Sequence, residues 1–91
     1  MTAAPQRSTQ WFIRAASDFG PNYPGDTVRV TVVDDEAHGV RIAVGGVDNA
    51  MLMTRVIPPG ADAWTDALGC AHDLPQPVTF ARLKAHGFGF A

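Results

Sequence analysis

Ninety-one residues carrying seven Lys and Arg against nine Asp and Glu, a formal net charge of −2, predict one small domain. The basic excess of a dedicated nucleic-acid binder is missing, no apolar run approaches the ~20 residues that cross a bilayer, and a single cysteine excludes an internal disulfide. A chain of this size buries roughly 60–65% of the surface its unfolded form exposes, so a homodimer or another bound partner would supplement a marginal core.

The opening stretch MTAAPQRSTQ lacks a basic n-region and an apolar h-region, which with the lone Cys70 points to the cytoplasm. Residues 1–9 read as a frayed N-terminus, and residues 10–91 as a single small α+β domain. QWFIRAA, residues 10–16, is dense in strand formers, with Trp11 and Ile13 on one face and Phe12 and Arg14 on the other. SDFGPNYPG, residues 17–25, holds two glycines and two prolines and reads as a loop, from which Phe19 and Tyr23 are expected to cover the core.

Strands at 27–33 and 39–45 flank the acidic turn DDEAH. If Val33 pairs with Gly39, then Val32 faces Val40, Val30 faces Ile42 and Val28 faces Val44, so six apolar side chains share one buried side. The other side then presents Arg29, Thr31, Arg41 and Ala43, with Thr31 opposite Arg41 and Arg29 diagonal to it.

GGVDN turns the chain into a strand at 50–57, AMLMTRVI, which has two candidate faces. Met51, Met53, Arg55 and Ile57 form one, and Leu52, Thr54 and Val56 the other. The second is the cleaner apolar set, which would put Arg55 outside beside the hairpin arginines and leave Met51 and Met53 either exposed or covered by another part of the chain or a partner. Pro58 and Pro59 stop the strand. A helix near 61–73 follows, with Trp64, Ala67, Leu68 and Ala71 at i, i+3, i+4 and i+7, extended by Leu74, and Asp62, Asp66, Gly69 and Asp73 opposite. After PQP, a short helix near 80–86 is predicted by an N-cap at Thr79, a staple of Val78 and Leu83, last-turn Lys84 and His86, and Gly87 at C′. A strand through Val78, Phe80 and Arg82 is its rival. Phe88 and Phe90 either seal the core as an edge strand or form an exposed hook for a partner. The fold class is therefore α+β: an antiparallel sheet of three to five strands with one helix and a second, short one.

Chemistry-bearing clusters are sparse. Cys70 and His72 stand about 200° apart on a helix and cannot chelate one ion, so no metal is expected. A Cys–His nucleophile pair would need His38 or His86 brought to Cys70 together with oxyanion donors, and no motif supports one. DDEAH is too short for a calcium loop, and GGVDN opens onto a strand rather than a helix, so it is no phosphate cradle. No catalytic residue and no cofactor are expected.

At the hairpin the chain resembles the carbon storage regulator family, small homodimeric RNA-binding proteins of bacteria. The resemblance rests on Gly25-Asp26, then Val28, Val30 and Val32, then Val40-Arg41-Ile42 and Val44, with WFIRAA upstream and MLMTRV downstream, and spans residues 11–57. It implies an RNA-binding sheet. The family's basic contact positions hold Ala16, Ser17 and Thr54 here, with Arg55 one place along, and its Ala-Pro after the hairpin is replaced by Gly46-Val47.

The expected function is a non-enzymatic protein-binding module: a small regulator, inhibitor, immunity or accessory protein. Its candidate surface residues are Arg29, Arg41, Arg55, Met51, Met53, Asp62, Asp66, Phe88 and Phe90. An RNA-binding regulator using Arg29, Arg41 and Arg55 is the alternative; no membrane partner is expected.

Overall fold

The structure, a computed structural model, describes residues 7–15, 27–35, 37–46 and 51–90. Residues 1–6 of the expected frayed end, and the loop expected to lay Phe19 and Tyr23 over the core, lie outside them. Five strands, β1 (Ser8–Arg14), β2 (Thr27–Asp35), β3 (Gly39–Gly45), β4 (Met51–Ile57) and β5 (Gly89–Phe90), form one antiparallel sheet in chain order. Helices α1 (Ala63–His72) and α2 (Phe80–Ala85) lie between β4 and β5 in the chain and share one core with the sheet. This is the expected α+β architecture, with β1 starting two residues earlier than predicted.

The alternating valines do what a period of two requires. Val28, Val30, Val32, Val40, Ile42 and Val44 are all buried beneath the helices, each contributing about 1.5–3 kcal/mol from burial. Their register differs from the expected one by two residues: Val32 pairs with Ile42, Val30 with Val44, and Asp35 with Gly39. Asp35 stays in the strand because its carboxylate accepts from the turn amides of Ala37 (3.0 Å) and His38 (3.3 Å). Gly39, at φ +117°, then turns the chain back. A shift of two preserves the pleat, so every buried residue stays buried. The outer face changes in detail: Arg41 sits opposite Val33 rather than Thr31, and Arg29 opposite Gly45.

Strand β4 corrects the expected facing. Met53 is buried, and Arg55 lies on the helix side with it, paired with Ile42 across the ladder. Arg55 is expected outside because Leu52, Thr54 and Val56 form the cleaner apolar set. It is held inside because its Nη1 donates to the His86 carbonyl and to Cys70 Sγ (2.8 Å), while its stem packs on Gly87. Val56, expected in the core, is instead exposed. An irregularity between Val44 and Gly45 leaves Leu52 as the extra residue of β4. It flips Met51 to pair with Gly45 on the outer face, away from Met53.

Of the expected inner row of helix α1, Ala67, Ala71 and Leu74 are buried and Ala63 joins them, whereas Trp64 and Leu68 lie partly buried at the margin. Three methyl side chains let the helix approach the valine face closely, and Trp64 instead takes the Arg7 guanidinium over its ring at 4.8 Å. Arg7 is fixed in turn by an ion pair to Asp34 (2.8 Å). Helix α2 follows its local signals closely. Thr79 caps it by accepting from the Arg82 amide (3.0 Å), and Val78 and Leu83 are both fully buried as the staple. Gly87 at φ +90° closes it, with Phe88 N donating to Leu83 O and Gly87 N to Lys84 O, both at 3.0 Å. The strand reading of this segment is excluded. Phe88 is buried at 3% exposure and therefore belongs to the core, not to a partner surface.

Candidate functional site

Both helices cover the same side of the sheet, which leaves the other side without a packed layer among the described residues. Ladder register and pleat sort its side chains into three rows running across the strands. The first is Phe12, Arg29, Gly45 and Met51; the second is Gln10, Thr31, Ala43 and Thr54; the third is Ser8, Val33, Arg41 and Val56. Arg14 stands one row beyond Phe12, paired with Thr27.

Small residues occupy the middle of this grid. Thr31, Ala43 and Gly45 form the floor of a hollow of about 170 Å³, walled by Arg29, Val33, Arg41 and Met51. Large apolar side chains stand around it in water: Phe12 is 58% exposed, Met51 49% and Val56 48%. Each arginine has apolar neighbours. Arg29 lies beside Phe12 and, across Gly45, faces Met51; Arg41 lies between Val33 and Val56. Arg29 and Arg41 are two rows and one strand apart, about 14 Å between backbones at ~3.3 Å per residue and ~4.8 Å per strand. One described acid shares this face: Asp35, one row beyond Val33 and diagonal to Arg41 at the hairpin end. Desolvation is the largest influence on its carboxyl and pushes it up. Hydrogen bonds from the Ala37 amide and from His38, with the imidazole charge, outweigh it and hold the group below its ordinary value.

Of the predicted surface residues, the structure brings Arg29, Arg41 and Met51 together and separates the others. Arg55 and Met53 are on the helix side, and Phe88 is in the core. Asp62 and Asp66 are exposed on α1, in the opposite layer, as the wet face of that helix. Phe90 is 74% exposed at the β5 edge, its ring 5.8 Å from that of Phe80. Phe12 and Val56 were missed. Phe12 was findable, since it alternates out of phase with Trp11 and Ile13; Trp11 turns inward, where its ring stacks on His72 at 4.4 Å.

Among the described residues no group of three or more His, Cys, Asp or Glu side chains could hold a metal ion, and no helix is long and apolar enough to cross a membrane. Compared with family models, curated proteins and solved structures, the chain matches none.

Proposed function

We propose that this chain is a non-enzymatic protein-binding module, a small regulator, inhibitor, immunity or accessory protein, and that it works through the sheet face that no described residue covers. The observation carrying this reading is one face on which Met51, Arg29 and Arg41 line a shallow hollow while exposed Phe12 and Val56 flank the two arginines. Apolar patches of this kind on a small domain are commonly interaction sites, and arginine beside apolar side chains is a composition enriched where proteins meet. The unpaired Cys70 favours a reducing, cytoplasmic setting for it.

RNA is the second reading. Arg14, Arg29 and Arg41 on one face favour it, as does the resemblance of the hairpin to the carbon storage regulators. Against it, Arg55 does not share that face, and Phe12 is the sole aromatic in the three rows on which a base could stack.

The test is capture of partners from the native cells by tagged chain, compared with Phe12→Asp and Val56→Asp. Proteins retained by the parent and lost from both variants are the expected result. A chain that retains no protein, or variants that retain the same set, would sink the reading.

A further inference from the structure

Charge and shape on this sheet face go beyond the existence of a partner and specify its chemistry. We infer that the face docks an extended acidic polypeptide segment, with two carboxylates engaging Arg29 and Arg41 and an apolar side chain between them entering the hollow. The inference rests on the protein-binding reading above and deepens it.

Charge complementarity comes first. Arg14, Arg29 and Arg41 lie on this face against one described acid, Asp35, which is diagonal to Arg41 and has its carboxylate turned to the Ala37 and His38 amides. The chain as a whole is nevertheless acidic, at −2. A positive face on an acidic molecule selects by local potential rather than by overall attraction. Apolar neighbours flank both guanidinium stems, so a bound carboxylate would meet each in a partly dehydrated setting. There a charge-assisted, bidentate pair is stronger than in open water.

Spacing comes second. The ~14 Å between the Arg29 and Arg41 backbones matches four residues of an extended chain at ~3.3 Å each. Residues i, i+2 and i+4 of such a chain project to one side, so acid, apolar and acid residues at those positions would face the sheet together. On a helix the same length needs about nine residues, which brings the second acid to the opposite side. The hollow of about 170 Å³ is floored by Thr31, Ala43 and Gly45. That is room enough for one aliphatic side chain.

The test selects binders from a random 12-residue peptide library on the immobilised chain, then measures their affinity by titration and maps them by amide shifts in NMR spectra. Enriched peptides should carry two acids four residues apart around an apolar residue. Each of Arg29→Glu and Arg41→Glu should weaken them about tenfold or more, the loss of one charged hydrogen-bonded contact. Arg29→Gln and Arg41→Gln repeat the comparison with less disturbance, and dispersed spectra show that each variant is folded. Lysine in place of the two peptide acids should restore binding to the Arg29→Glu/Arg41→Glu double variant. Enriched peptides without acids, or with undiminished affinity for the variants, overturn the inference. So does a 20-nucleotide uridine RNA that shifts the same amides more tightly than any peptide. Peptides that map to α1 instead would defeat the inference while leaving the protein-binding reading standing. Absence of any enriched peptide counts against this inference alone, whereas capture of no protein from the native cells removes both.

Discussion

At Gly39 the backbone conformation and the neighbouring strand make the same demand. Its φ of +117° is disfavoured for any residue with a Cβ, and a Cβ there would lie 2.1 Å from the Ile57 carbonyl oxygen and 3.1 Å from its carbon. Backbone cannot yield as a side-chain tip does, so Gly39→Ala should destabilise by about 3 kcal/mol or more. Gly69 is the control of opposite sign: a Cβ there meets nothing within 4 Å, and the residue sits exposed in α1. Gly69→Ala should stabilise by about 0.5–1 kcal/mol. Urea midpoints decide both, and equal shifts would refute the steric account of Gly39. Four residues earlier, Asp35 ties the turn through its carboxylate and titrates below the ordinary aspartate value. A carboxyl depressed in the folded state contributes stability that is complete above its unfolded value and is lost as pH falls through the folded one. The hairpin tip should therefore hold its order through mildly acidic pH and loosen only below the ordinary aspartate range. Carboxyl-detected NMR titration should place the Asp35 midpoint below that of a disordered peptide, and Asp35→Asn should abolish the step without moving the valine core.

Strand β4 and helix α2 are joined through one side chain, and that junction is where element-level reasoning from sequence failed. Arg55 donates to the last-turn carbonyl of His86, thirty-one residues away, and to Cys70 Sγ, fifteen away. Arg55→Ala should leave that carbonyl short of a donor and destabilise by about 1–3 kcal/mol, whereas Arg41→Ala on the outer face should stay within about 0.5 kcal/mol. Comparable denaturation midpoints for the two would place Arg55 back in solvent. The contrast explains what was legible. The hairpin's buried face could be read because period-two valines are a local pattern, and α2 because cap, staple and C′ glycine all lie within ten residues of one another. The facing of β4 could not, since apolar residues occur on both of its sides and the deciding partners belong to helices distant in sequence. For the candidate site, the shared face of Arg29 and Arg41 followed from the pleat alone. Their spacing did not, because it depends on how many residues the turn consumes, and Asp35 set that by remaining in the strand.

For the molecule as a whole, net charge describes neither surface. On the helical layer, Asp62, Asp66 and Asp73 are exposed along α1 while α2 exposes Arg82 and Lys84, and the opposite side of the sheet carries Arg14, Arg29 and Arg41 with Asp35. The α1 acids and the sheet arginines point away from each other across the packed core, so more than the ~10 Å between packed layers separates them. At physiological salt the screening length is about 8 Å, and at 0.01 M it is about 30 Å. An acidic ligand on the sheet face should therefore be nearly blind to α1 at ordinary salt and repelled by it in dilute buffer. Neutralising the row with Asp62→Asn and Asp66→Asn should alter affinity for an acidic peptide by less than about twofold at 0.15 M salt. In 0.01 M salt the same variant should bind more tightly than the parent, because two like charges have been removed from its long-range field. Arg29→Gln should weaken binding at both salt concentrations, since a direct pair beside apolar side chains is screened far less than a distant one. Titrations of one peptide against the three proteins at the two salts separate these outcomes. A loss of affinity in Asp62→Asn/Asp66→Asn at either salt would mean that α1 itself touches the ligand, and the docking face would have to be redrawn onto the helical side.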